Sequence, residues 1–197
     1  MREGGEGRRT GRIVEVEAYA GPEDRASHAR FGPASRAATM FGPPGLAYVY
    51  GVYGMHLCLN VVAGPAGNGA AILLRAVEPL EGVPAMRVAR LAASVARRHA
   101  AAADPEAEAA RIARLPAARL AAGPANLAAA FSVEPRDDGL DLLDPAGSLR
   151  LEPARRGDRG REIVASARVG VAYAGPGWAD RPWRFVVSSN ATREPRA

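Results

Sequence analysis

The run AYVYGVYGMHLCLNVV, Ala47–Val62, decides how the rest of the chain is read. It is dense in β-branched and aromatic residues, which suit a pleated, half-buried surface, so it reads as strand. Aromatic residues make up only 6% of the chain, yet Tyr48, Tyr50 and Tyr53, three of its five tyrosines, fall within six positions. His56, Cys58 and Asn60 lie on the same run. A second strand-like run, Arg12–Tyr19, contains VEVEAY (Val14–Tyr19). It puts an acid, Glu17, and a ring, Tyr19, two residues apart and therefore on one strand face. Flat rings near a carboxylate in a basic protein suggest a pocket that stacks a nucleobase and does chemistry on it. The plainer reading is that tyrosines are good strand formers that half-bury well. Either run alone favours the plainer reading.

A third strand-like run covers Ala70–Val77. Turn-rich stretches, FGPPG (Phe41–Gly45) and GPAGNG (Gly64–Gly69), separate the three. Residues 84–130 change character and become rich in Ala, Arg and Leu. Asp104-Pro105 followed by Glu106 and Glu108 reads as a helix start, with an N-cap, a proline at the first position and acids in the first turn. Pro116 and Gly123-Pro124 divide this region into two or three helices. Its arginines, Arg87 to Arg119, read as a solvated face, and so does His99. DDGLDLLDP (Asp137–Pro145) reads as a loop into a short strand or turn. Two late strands are expected at Glu162–Tyr173 and Trp183–Ser188. Strands come first and last with helices between, and no βαβ alternation appears. That order predicts an α+β fold, a curved, mainly antiparallel, partly open barrel-like sheet with surrounding helices. A single domain at 11–190 is expected between flexible tails at 1–10 and 191–197.

A length of 197 residues with 48% hydrophobic content fits one domain with a sizeable core. No apolar run approaches the ~20 residues that span a bilayer. The charged start MREGGEGRRT does not read as a signal peptide. One cysteine, Cys58, excludes an internal disulfide and a cysteine-cluster metal site, and a reducing, cytoplasmic setting is the default. His28, His56 and His99 lack metal-ligand spacing, so neither a metal nor a cofactor is expected. The formal net charge of +5 and pI of about 10.1 suit a polyanion partner. All 26 Lys+Arg residues are arginines. With no side-chain amine, a lysine Schiff base is unavailable. Bond-breaking must then use water, a carboxylate, a hydroxyl or the lone thiol.

Six blocks follow one another along the chain: GRIVEVEAYAGPEDRASH (Gly11–His28), MFGPPGLAYVYGVYGMHLCLNVV (Met40–Val62), ILLRAVEPLEG (Ile72–Gly82), GPANLAAAFSV (Gly123–Val133), ARVGVAYAG (Ala167–Gly175) and WADRPWRF (Trp178–Phe185). Together they resemble the alkyladenine (3-methyladenine) DNA glycosylase family, the type without a helix-hairpin-helix. The resemblance spans roughly residues 11–188. Any one block is weak, but six in order are specific and reverse the plainer reading of the tyrosine run.

The resemblance implies hydrolysis of the N-glycosidic bond of an alkylated purine flipped out of double-stranded DNA, by a monomer that cleaves no strand. Glu17 matches the family's general base. Arg75 and the backbone carbonyl of Val169 match the groups that hold the attacking water. Tyr19, His28 and Tyr50 match the walls of the base pocket, and Asn60 the residue that crowds a purine's 2-amino group. Tyr53 matches the side chain inserted into the duplex. Tyr48 reads as core, and His56 and Cys58 as packing residues. The chemistry suits these residue types. A carboxylate ionised at neutral pH takes a proton from water, and its charge supports an oxocarbenium-like sugar. An arginine stays charged and fixes the water without competing for that proton.

Two features depart from the family pattern. The family usually has a helix and a strand before the GRIVE-like run, where only ten residues stand here. That bears on stability and sheet completeness more than on chemistry. Asn126 stands where the family commonly has a lysine, so one phosphate anchor is expected to be missing, with the arginine-rich helices as a replacement. Two other readings stay open: a catalytically weak or inactive nucleic-acid-binding relative, and an RNA-binding module like the C-terminal domain of methionyl-tRNA formyltransferase.

Overall fold

Strands β1 (Thr10–Ala20), β2 (Ala47–Val52), β3 (His56–Ala63), β4 (Ala70–Glu81), β5 (Ile163–Ser166) and β6 (Arg184–Val187) form one six-stranded sheet in the order β2-β3-β4-β1-β6-β5. Every neighbouring pair is antiparallel, and the sheet does not close. This is the expected mixed α+β single domain with an antiparallel sheet. The structure is a computed structural model that describes residues 1–4, 7–98, 104–154 and 161–188. His99 and residues 191–197 lie outside the described residues.

Alternation along each strand sorts the side chains onto two faces. Val16 of β1, Val49 of β2, Leu59 of β3 and Leu74 of β4 face a core that Met86, Leu120, Leu127 and Phe131 fill from the other side. Those residues come from helices α1 (Val83–Arg98), α3 (Ala117–Leu120) and α4 (Pro124–Ala130), and from the cap that ends α4. Glu15, Glu17, Tyr19, Tyr48, Tyr50, Cys58 and Asn60 project to the opposite face. A smaller core lies there, where Tyr48, Val62 and Ala71 pack under Ala29, Ala37 and Met40.

Helix α2 (Pro105–Arg114) starts as its sequence predicts: the Asp104 side chain accepts from the Glu106 N–H at 2.9 Å, and Pro105 follows. Pro116 caps α3, and Gly123, at φ 93°, precedes α4, so the described helices number four rather than two or three.

The run Ala47–Val62 is two strands, a hairpin, rather than one. Its turn is possible because Gly54 (φ 71°), and Tyr53 beside it (φ 53°), take left-handed conformations. The strand expected over Glu162–Tyr173 stops at Ser166, because Arg168 and Val169 leave the ladder to bond Asp24 and Glu17. Arg87 and Arg90 are not a solvated face. Arg87 donates to the Ile112 and Leu115 carbonyls, and Arg90, 5% exposed, to that of Leu120. They bond carbonyls at the C-terminal ends of α2 and α3, where the helical ladder runs out of donors. Asp137–Pro145 is a turn segment that runs along the edge of β2. Ala47 donates to the Leu140 carbonyl at 2.7 Å, and Gly139 donates to that of Ala47 at 2.8 Å. The first residues, expected as a tail, are docked: Arg2 is buried and bonds Asp137 at 3.0 Å, and its backbone pairs with Arg9.

Candidate active site

β1 is the inner strand that builds the site. Glu17 is paired through its backbone on both sides, to Leu73 of β4 and Arg184 of β6, so its position is held by two ladders. Across β1 the register slips by one: Glu15 pairs with Ala76 and Val16 with Leu74, which leaves Arg75 as a bulge residue. Bulges re-aim side chains. Here Arg75 is brought to the face that carries Glu15 and Glu17.

Arg75 Nε donates to Glu15 Oε1 at 2.7 Å, and its Nη1 is 3.3 Å from Glu17 Oε1. Arg184 Nε also donates to Glu15 Oε1, at 2.8 Å. Two carboxylates thus face two guanidiniums. Burial alone would raise the Glu15 carboxyl, but the Arg184 and Arg75 donors outweigh it and hold Glu15 below its ordinary range. Burial works against the Arg75 charge, and Glu17 and Glu15 more than restore it.

Glu17 is 0% exposed. Its Oε1 accepts the Val169 N–H at 2.7 Å, and its Oε2 accepts the Tyr19 hydroxyl at 3.0 Å. An ionised carboxylate has about four lone-pair sites. Together with the Arg75 contact, these leave one lone-pair site for a further donor. Burial, and then the Glu17 charge, push the Tyr19 hydroxyl far above its ordinary range, so it stays a donor.

A cavity of about 520 Å³ opens on this cluster, within the range of small-ligand pockets. Glu17, Tyr19, His28, Tyr50, Arg75 and Val169 all line it, and Tyr53 is at its rim. The His28 ring meets Tyr50 edge-on at 4.5 Å, and Tyr50 stacks on Tyr48 at 5.4 Å. His28 Nδ1 is 2.9 Å from the Tyr48 hydroxyl, and its Nε2 is 3.4 Å from Arg36. Burial, followed by Arg36 and Arg30, lowers His28 to about 4, so it presents an uncharged ring at neutral pH. Tyr53, at the hairpin turn, is 88% exposed.

Asn60 is not among the lining residues. It is buried and donates to the Tyr48 carbonyl at 3.0 Å. Cys58 does line the cavity. Burial pushes its thiol up, away from thiolate reactivity. Asn126 turns back past the start of α4 and donates to the Ala122 carbonyl, just before the helix, at 2.7 Å.

Sequence reading missed Glu15, Arg184, Asp24 and Arg168, and also Arg36 and Tyr173, which line the cavity. Only Glu15 carried a usable signal, since alternation from Glu17 puts it on the same face. Among the described residues no group of three or more His, Cys, Asp or Glu side chains is placed to hold a metal ion, and no helix is long and apolar enough to cross a membrane.

Comparison with known proteins agrees on one family. The family model described as methylpurine-DNA glycosylase (MPG) matches residues 1–191. A protein named "Putative 3-methyladenine DNA glycosylase" from Anaeromyxobacter dehalogenans is 43% identical over 185 residues, 93% of this chain and 70% of its own length. Relatives with the same name from Burkholderia lata and Leifsonia xyli subsp. xyli are 38% and 40% identical, over 92% and 93% of this chain and 75% and 76% of theirs. A match over nearly the whole length, to the family model and to these relatives alike, means that this chain belongs to the methylpurine-DNA glycosylase family.

Proposed function

We propose that this protein excises alkylated purines such as 3-methyladenine from double-stranded DNA by hydrolysing the N-glycosidic bond. The observation that carries the reading is a wholly buried carboxylate, Glu17, at the end of an aromatic-walled cavity, with a guanidinium and a backbone N–H beside it. The damaged nucleotide is flipped into that cavity. Water held by Glu17, Arg75 and the Val169 carbonyl attacks the anomeric carbon while the bond to the purine breaks. Glu17 takes a proton from the water, the sugar gains the hydroxyl, and the purine leaves with the bonding electrons. The Glu17 charge also supports the cationic sugar of the transition state.

Tyr19, His28 and Tyr50 form the base-binding walls. A purine made cationic by alkylation stacks more strongly on electron-rich rings, by ~1–2 kcal/mol when desolvated. An uncharged His28 adds no repulsion to such a base. Tyr53 fills the gap left in the duplex and offsets part of the few kcal/mol that flipping costs. Asn60 holds the Tyr48 backbone from outside the cavity, and the Tyr48 ring in turn stacks on the wall residue Tyr50. The enzyme acts as a monomer in the cytoplasm, on the chromosome.

The test is incubation with methylated duplex DNA and chromatographic identification of the released bases. Release of free 3-methyladenine with one abasic site per base supports the reading. Tight binding to methylated DNA with no base released above the spontaneous background contradicts it.

A further inference from the structure

Behind the cavity, and not among its lining residues, sits a pair of charges with no exposed surface. The side chains of Asp24 and Arg168 are both 0% exposed. Arg168 meets the carboxylate with two nitrogens, Nη1 on Oδ2 at 2.5 Å and Nη2 on Oδ1 at 2.9 Å. The same nitrogens donate to the carbonyls of Ala18 at 3.0 Å and Trp178 at 3.1 Å. Asp24 also accepts the N–H groups of Ala20 at 3.2 Å and Ala26 at 3.0 Å. The guanidinium lies over the Tyr19 ring at 4.8 Å and the Trp183 ring at 5.0 Å. One point therefore ties together the end of β1, the loop that follows it and the 168–178 segment.

Two arms of that tie lead to a partner of Glu17. The residue after Arg168 is Val169, whose N–H donates to Glu17 Oε1. The ring under the guanidinium is Tyr19, whose hydroxyl donates to Glu17 Oε2. Burying two ions is costly, and an apolar pair of similar volume often holds a fold as well or better. What an apolar pair lacks is direction. A bidentate guanidinium–carboxylate contact fixes distance and plane together. We propose that Asp24 and Arg168 are positioning residues that hold the two donors of Glu17 in register, so that the carboxylate keeps one orientation toward the water. This rests on Glu17 being the base.

Four proteins test it: wild type, Arg168→Lys, Glu17→Asp and the double variant. Lysine keeps the charge but cannot bind bidentately or stack as a plane. Aspartate withdraws the carboxylate by one methylene from the donors that Arg168 positions. Single-turnover release of 3-methyladenine from methylated duplex DNA is measured at saturating enzyme, with DNA affinity and thermal midpoint measured in parallel. Arg168→Lys should slow release at least ~10-fold while lesion-DNA affinity stays within about threefold. In the Glu17→Asp background the same change should slow release by less than about twofold, because its effect runs through a contact already lost. Its effect on the thermal midpoint should be equal in both backgrounds. Losses that multiply in the double variant, or a wild-type rate for Arg168→Lys, overturn the proposal. A wild-type rate for Glu17→Asp would mean that the carboxylate's position is immaterial and overturns the proposal too; the role given to Glu17 is overturned separately, by a wild-type rate for Glu17→Gln with binding intact. Should Arg168→Lys fail to fold, isosteric Asp24→Asn takes its place with the same expected outcomes.

Discussion

Replacing Tyr53 by glycine should leave the protein as stable as it is, or slightly more stable, and still impair excision. Tyr53 sits in the β2–β3 turn at φ 53° and is 88% exposed. A non-glycine residue in the left-handed region costs roughly 1–2 kcal/mol. Glycine removes that strain but gives the unfolded chain more freedom, a loss of roughly 0.5–1 kcal/mol. With so little of the side chain packed, no large burial term opposes the change. The expected net effect is about 0–1.5 kcal/mol of stabilisation, read from urea unfolding curves. If the ring stands in for the flipped nucleotide, its loss removes stacking worth ~1–3 kcal/mol. That is roughly 5–150-fold in single-turnover excision from paired duplex DNA. A lesion in a bulge is already easier to extrude, so the loss there should be several-fold smaller. Equal losses on both substrates, or destabilisation above ~1 kcal/mol, would show that Tyr53 shapes the pocket or the fold instead of the duplex.

Borohydride trapping during turnover should give no covalent adduct with DNA, since the chain has no lysine to form a Schiff base. A strong adduct would point to the α-amino group of Met1. Stability should fall as pH drops from about 6.5 to about 4. Across that window the unfolded chain takes up a proton that folded His28, lowered to about 4, refuses. His28→Gln should flatten that part of the curve. The lowered carboxyls of Glu15 and Asp24 act separately: the stability they contribute is lost only as pH falls below the ordinary carboxylate range. Asn60→Ala should cost about 1–3 kcal/mol in urea unfolding, because it removes the buried donor to the Tyr48 carbonyl.

Alternation and turn chemistry made much of this fold readable. VEVEAY predicts the face shared by Glu17 and Tyr19, and Asp104-Pro105 predicts the start of α2 to the residue. Length and β-propensity misled at Ala47–Val62, where a hairpin turn takes Tyr53 rather than the more usual asparagine for one of its left-handed positions. Propensity also overran the late strand, because the pull on Arg168 and Val169 comes from Asp24 and Glu17, 144 and 152 residues away. For the same reason the Glu15–Arg184 contact, across 169 residues, left no local pattern. Charged residues far apart in sequence find each other only through the sheet order, and strand patterns do not encode that order. The alanine- and arginine-rich region looked like a solvated face. Which arginines turn inward depends on where helix ends leave carbonyls open, as Arg87 and Arg90 show.

Glu17→Gln keeps the shape of the side chain and can still accept from Val169 or Tyr19, but it cannot take a proton from water. The most direct measurement is therefore single-turnover release of 3-methyladenine from methylated duplex DNA by wild type and Glu17→Gln, with binding to the same DNA measured alongside. The rate should fall by roughly 10²–10⁴-fold, with affinity nearly intact. A variant that releases the base at the wild-type rate would contradict the assignment of the buried carboxylate as the base.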